Sequence, residues 1–150
     1  MRWGEDQGRL RILHVDDDDT DAQLLMEALD DASQHWREVA TMFRVRSAED
    51  ALSMVEDPQV RLPHLILLDL SLPGRSGHDL LDVLKSSSPP HRAKRVPVVV
   101  VSTSHASIDV ERAYDGFAAG YVTKPSSYLD LIQLMQALCD FWFRHATLPK

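Results

Sequence analysis

Cysteine is nearly absent: Cys139 stands alone in 150 residues, so no internal disulfide and no thiolate metal cluster can form. Long apolar runs are missing too. Nothing approaches the ~18 to 20 consecutive residues a membrane span or signal anchor needs, and the opening MRWGEDQGRL is polar. The expectation is a soluble, cytoplasmic protein in a reducing compartment with no membrane association. Positive charge is short: the formal net charge is −7, which repels a polyanion, and no dense Lys/Arg stripe offers itself to nucleic acid. Arg92, Lys94 and Arg95 sit beside Pro89, Pro90 and Pro97 and read as a solvated loop. The seven histidines, His14, His64 and His105 among them, show no pair at metal-ligand spacing on an evident helix face, so surface or structural roles are expected. Without surrounding positive charge, Trp36 and Tyr114 are packing residues rather than stacking platforms.

What is present fits one compact domain with a sizeable core, since 44% of the chain is hydrophobic. Short apolar runs suited to buried strands recur at 10–15, 42–45, 65–68 and 96–101, and more weakly at Tyr121 and Val122. Between them lie stretches with helical spacing, such as Ala22, Leu25, Met26 and Leu29, then Leu80, Leu81 and Leu84. Capping-box-like pairs mark helix starts at Thr20/Gln23, Ser47/Asp50, Ser76/Asp79 and Ser127/Asp130. Alternating strands and helices predict an α/β fold, a doubly wound five-stranded parallel sheet with helices on both faces. Residues 10–144 form the domain, with tails at 1–9 and 145–150, and 86–94 is a surface loop.

In such sheets the binding crevice lies at the carboxyl ends of the strands. Strand one runs into Asp16 and Asp17, strand three into Asp69, strand four into Ser102 and Thr103, and strand five into Lys124 and Pro125. Carboxylates gathered from different strands repel unless a cation sits among them, and a hard divalent ion with oxygen ligands is the natural complement. Magnesium keeps several waters and takes only one or two carboxylates, leaving room for a phosphoryl group that a serine hydroxyl and a lysine ammonium could hold. This describes phosphoryl transfer to a carboxylate, which works mainly by positioning and charge neutralisation.

The segments VDDD (15–18), DLSLPGRSG (69–77), VVVVSTS (98–104) and GYVTKP (120–125), in this order, resemble the receiver domains of bacterial two-component response regulators. The resemblance spans about 10–143 and implies a flavodoxin-like fold. It implies Asp69 as phosphoacceptor; Asp17, Asp69 and the Ser71 carbonyl as Mg2+ ligands, with Asp16 acting through water; and Ser102 and Lys124 as contacts to the phosphoryl group. On activation the Ser102 hydroxyl would move toward that group and Tyr121 would turn inward, altering the face made by the fifth strand and the helices flanking it. Serine at 102 departs from the family's preferred threonine but keeps the hydroxyl. Pro125 after Lys124 matches a family cis peptide. STSHASIDVERAYDGFAAGYVTKP and FWFRHATLP are further similar to single-domain regulators partnered with phytochrome-type histidine kinases. The chain is then no enzyme beyond its own phosphoryl transfer and dephosphorylation, and its output travels by protein contact.

Two other readings compete. Asp16, Asp18 and Thr20 spell the D-x-D-x-T of haloacid-dehalogenase-type phosphatases, with Asp16 as nucleophile and Asp18 as acid/base; that reading needs acidic ligands after a further strand and leaves the Asp69 motif unexplained. A calcium loop over the same aspartates fails because Asp21 replaces the turn glycine. Asp18, Asp19 and Asp21 are therefore read as a solvated turn and helix start. The last helix, 128–144, is apolar around most of its circumference, more than the one face of somewhat over ~100° that covering a sheet requires. Its aromatic end at Phe141, Trp142 and Phe143 predicts an interface, to itself as a homodimer or to a kinase, rather than a fold-back.

Overall fold

The computed structural model describes residues 9–149. The five strands are β1 (Leu10–Val15), β2 (Ala40–Val45), β3 (Leu65–Leu68), β4 (Val98–Ser102) and β5 (Gly120–Thr123), all parallel, in the order β2-β1-β3-β4-β5. The helices are α1 (Asp19–Ala32), α2 (Gln34–Val39), α3 (Ala48–Glu56), α4 (Gly77–Leu84), α5 (Ser107–Asp115) and α6 (Tyr128–Cys139), and α6 continues into a π-helical turn, Asp140–His145. The expected doubly wound sheet is present. The chain leaves β1 toward one edge of the sheet and leaves β3 toward the other, so a crevice opens at the carboxyl ends of these neighbouring strands.

Strand side chains alternate between two cores. Leu13, Val15, Ile66, Leu68, Val98 and Val100 face α3, α4 and α5, while Ile12, Leu65, Leu67, Val99 and Val101 face α1, α2 and α6. Every residue of β3 is buried, which is why its run LILL shows no polar alternation. Three of the expected caps form as read: Ser47, Ser76 and Ser127 each accept the N–H of Asp50, Asp79 and Asp130. At α1 the cap is Asp18 rather than Thr20, its carboxylate accepting from Asp21 N–H at 2.9 Å.

Several boundaries differ from expectation for local reasons. Strand β4 starts at Val98, because Val96 N–H is committed to the Ala93 carbonyl and Pro97 has no N–H to give. The short helix α2 has no strong periodicity; it forms because Ser33 caps it and Trp36 is driven fully into the core, where its indole N–H donates to Asp140 at 3.1 Å. Arg92 is a structural clip rather than a solvated loop residue: its guanidinium donates to the carbonyls of Val55, Asp57 and Val60 at the end of α3.

The aromatic end of the last helix does fold back. Trp142 and Phe143 pack on the α1/α2/α6 core, Phe143 lies 6.1 Å from the Trp36 ring, and the Arg144 guanidinium lies over that ring at 5.4 Å. Phe141 (54%) and Leu129 (72%) stay exposed. Cys139 is fully buried, and burial pushes its thiol up to about 12, which makes it an inert packing group. Of the expected tail 1–9 only Arg9 lies within the described residues, where it donates to the carbonyls of Arg37 and Ala40.

Candidate functional site

The carboxyl edge of the sheet brings the predicted residues together. Asp16 follows β1, its N–H continuing the ladder to Val45 O (3.0 Å), and Asp69 follows β3 in the same way to Val15 O (2.9 Å). Lys124 N–H donates to Ser102 O at 2.8 Å, so the end of β4 fixes where the lysine side chain begins. From there Lys124 Nζ reaches three carboxylates: Asp69 at 2.8 Å, Asp21 at 2.9 Å and Asp16 at 3.0 Å. Burial alone would lower this ammonium, but the bonds from Asp69 and Asp21 and the charge of Asp16 outweigh it and hold it above the ordinary lysine range.

Each carboxylate is otherwise oriented by backbone. Asp69 Oδ1 accepts from Ser71 N–H (3.0 Å) and Asp16 Oδ1 from Asp18 N–H (2.9 Å). Asp16 is fully buried and Asp69 nearly so, whereas Asp17 is exposed and, among the described residues, makes no hydrogen bond or ion pair. Ser102 is buried with its Oγ accepting from Ser104 N–H (3.2 Å), and Tyr121 donates to Ser104 O (2.7 Å).

A glycine makes the loop after β3 possible. Gly77 N–H donates to Leu70 O at 3.1 Å, and a Cβ at Gly77 would stand 2.4 Å from the Asp69 carbonyl oxygen. Gly74, at φ +71°, turns the LPGRSG segment back toward α4.

Sequence reasoning missed two members of the site. Asp21 was assigned to a solvated helix start, yet from the first turn of α1 it reaches the Lys124 ammonium at 2.9 Å, one of that group's three carboxylate partners. His14 lies on the α1/α6 side of β1, 2% exposed, with Nε2 3.6 Å from Asp16 and Nδ1 without a partner. Burial, then the neighbouring Lys124 charge, lowers its pKa to about 4, so it is a neutral ring in the wall of a cavity of about 240 Å³ beside Lys124. Alternation along β1 was the available signal: His14 shares a face with Ile12.

The Lys124–Pro125 peptide is trans, contrary to expectation; the cis proline peptide among the described residues is Ser88–Pro89. Trans is the lower-energy isomer, and the backbone bond from Lys124 to Ser102 already aims the lysine into the crevice.

Could this edge hold a divalent cation? Among the described residues, no three His, Cys, Asp or Glu side chains form a protein-only cage. The donor set is nonetheless hard oxygen, and Asp16, Asp17, Asp21 and Asp69 outnumber the one ammonium among them, leaving local negative charge that a divalent ion with mostly water and phosphate ligands would balance. The residues fit such an ion.

A buried carboxylate, a hydroxyl and an ammonium at the switch point of a doubly wound sheet define a receiver-type site. Comparison with known proteins agrees. The sequence profile of the response regulator receiver domain matches residues 12–136. The "Probable methanogenesis regulatory protein FilR2" of Methanothrix harundinacea is 34% identical over 95% of this chain and 94% of its own. The response regulator Rcp1 of Synechocystis sp. is 32% identical over 92% of each chain, and a crystal structure of its Mn2+-bound form superposes with a TM-score of 0.80 over 94% of this chain and 99% of that one. The phosphorylated cyanobacterial phytochrome response regulator RcpA superposes with a TM-score of 0.84 at 32% identity, over 95% of this chain and 99% of that one. The chain belongs to the response regulator receiver domain family and is a phosphorylation-dependent switch of two-component signalling. The phosphatase reading fails: Asp18 is spent capping α1, and no strand follows Lys124 among the described residues to carry the extra acidic ligands.

Two expectations follow. Gly77→Ala forces the Asp69 carbonyl to move and lowers the unfolding free energy by about 1–3 kcal/mol, measured by urea denaturation; unchanged stability would mean the loop yields freely. For His14, the unfolded ring titrates near 6.5 and the folded one at about 4, so between these values only the unfolded chain binds the proton. Stability therefore falls as pH drops through that window, by about 2 kcal/mol from pH 7 to pH 5 in chelator, and His14→Leu removes that portion of the slope.

Proposed function

We propose that Asp69 accepts a phosphoryl group from a sensor histidine kinase, with Mg2+ held by Asp17, Asp69 and the Ser71 carbonyl and steadied by Asp16 through water. The observation that carries this reading is the Lys124 ammonium, 2.8 Å from Asp69 and anchored by Asp16 and Asp21. In the transfer the N–P bond of the phosphohistidine breaks as an Asp69 Oδ–P bond forms, and the departing imidazole takes up a proton. The metal supplies neutralisation of phosphoryl charge. Lys124 exchanges its contact with the acceptor carboxylate for one with a phosphoryl oxygen, and Asp16 and Asp21 keep it in place while it does so. Ser102 offers its hydroxyl to a second oxygen, and Tyr121 follows it inward. Hydrolysis of the Asp69 acyl phosphate by water at the same centre resets the switch.

The likeness in sequence and shape to Rcp1 and RcpA supports a phytochrome-type kinase as the donor; the proposal places the exchange in the cytoplasm, with residues 10–144 as the working domain and output by protein contact. Incubation with Mg2+ and acetyl phosphate adds one phosphoryl mass to the wild type, none to Asp69→Asn, and none when a chelator is present; intact-mass spectrometry reads all three. An adduct that persists in Asp69→Asn and disappears in Asp16→Asn would move the acceptor and refute the assignment.

The apolar residues left uncovered on the last helix, Leu129 and Phe141, support a homodimer through α6. Light scattering at increasing concentration should give a dimer mass that Phe141→Glu reduces to the monomer; a monomer throughout, phosphorylated or not, removes this interface.

A further inference from the structure

The edge of the sheet opposite Asp69 holds a second cavity, of about 400 Å³, where four arginines gather: Arg11 from β1, Arg61 from the loop before β3, and Arg92 and Arg95 from the loop before β4. Among the described residues no Asp or Glu lines it, although the chain as a whole carries a net charge of −7. Arg11 is 6% exposed, and its Nε and Nη2 donate to the Leu62 carbonyl at 2.9 and 2.8 Å, which fixes the guanidinium in the cavity wall. Arg92 is bound to the carbonyls at the end of α3, neutral acceptors that leave its charge in place. Arg95 is exposed and, among the described residues, makes no hydrogen bond or ion pair. His64 accepts the Arg11 N–H on Nδ1 (2.9 Å), so its ring proton sits on Nε2 and the ring adds no further acceptor. The rest of the wall is apolar, made by Leu62, Pro63, Val96, Pro97, Leu148 and Pro149.

We propose that this cavity binds a small organic phosphate of the nucleoside monophosphate class, its phosphate on Arg61 and Arg95 in the field of the buried Arg11, its ring among the proline and leucine side chains. A cleft lined by one sign of charge and walled by apolar groups focuses the field and draws counter-ions into it. Guanidinium forks match phosphate oxygens two at a time, and their flat faces stack on rings. The volume lies within the ~300–1,000 Å³ of small-ligand sites. A nucleic acid chain is the wrong occupant, because the net charge of −7 repels a long polyanion while a single phosphate meets only the local field. The site is separate from Asp69: the four buried residues of β3 lie between them, on the order of 13 Å of strand. Occupancy therefore needs neither a divalent ion nor the acceptor carboxylate, and the proposal does not rest on the phosphoryl reading.

Calorimetric titration of the full chain in chelator, with AMP, adenosine and inorganic phosphate as separate titrants, tests it. AMP should bind at least about tenfold more tightly than either fragment, the scale of one hydrogen bond to a charged group, because each fragment uses only one part of the wall. Arg95→Glu should weaken AMP by a similar factor and Arg95→Lys by less. Arg112→Glu makes the same charge reversal on α5, away from the cavity, and should bind as wild type, as should Asp69→Asn. Added salt should weaken AMP and spare adenosine. An unchanged thermal midpoint shows that Arg95→Glu is folded, and Arg61→Glu replaces it if it is not. No saturation by AMP at millimolar concentration, inorganic phosphate binding as tightly as AMP, or equal weakening in Arg112→Glu would each overturn the site. Those results would leave adduct formation at Asp69 untouched, and a wild type that takes no adduct would leave this site standing, so the two readings fail separately.

Discussion

Carboxylates from three separate segments, the end of β1, the first turn of α1 and the end of β3, meet a single ammonium on the far side of the sheet at Lys124. Three buried or half-buried negative charges this close would drive one another to neutralise or force the strand ends apart. The lysine removes most of that conflict, and the architecture is arranged around getting it there. β5 must lie beside β4 in a fixed register, Val101 opposite Val122 and Ser102 opposite Thr123, for the next residue to project into the crevice. A slip of one residue would turn the lysine to the other face of the sheet. The trans Lys124–Pro125 bond fits this picture, because the ladder from Lys124 N–H to Ser102 O has already set the direction.

The same ion group explains why the site is responsive rather than inert. One lysine gives Asp16, Asp21 and Asp69 a shared partner, and among the described residues only Asp17 of the group has none. On the proposed mechanism, a phosphoryl group brings new acceptor oxygens to Lys124 and to the Ser102 hydroxyl, and the existing contacts must be traded for these. Trading contacts of similar strength costs little net free energy, which is the condition for a switch that can be set and reset. His14 serves this by what it lacks. A neutral ring with no second charge of its own packs against Asp16 without adding to the cationic side of the balance.

Much of this was legible in the sequence for a physical reason. Buried parallel strands are continuous apolar runs, and in a doubly wound sheet whatever follows those runs is delivered to one edge; Asp16, Asp69, Ser102 and Lys124 could therefore be placed together before any coordinate was known. Asp21 was not placed, because a helix's first turn is a common home for an aspartate that has no function, and only its contact with the Lys124 ammonium distinguishes it. Helix α2 was missed because six residues carry too little periodicity, and its cause, the burial of Trp36 against Asp140 and Phe143, lies more than a hundred residues downstream. The aromatic end of the last helix was misjudged in the same way: its partner is that indole, invisible from the helix's own pattern.

Distance along the chain is also what separates the two halves of the switch. The ion cluster belongs to β1, α1, β3 and β5, whereas Ser104, Asp109 and His78 belong to the loop after β4 and to α4 and α5. They touch at the Ser102 hydroxyl, whose residue ends β4, and at Gly77, which presses on the Asp69 carbonyl while its neighbour His78 reaches Asp109. At that second contact a Cβ would stand 2.4 Å from the Asp69 carbonyl oxygen, so the loop after β3 and the start of α4 are packed directly against each other. On the proposed mechanism, a change at Asp69 has two ways to reach α5: the Ser102 hydroxyl and the backbone of the loop that leads into α4.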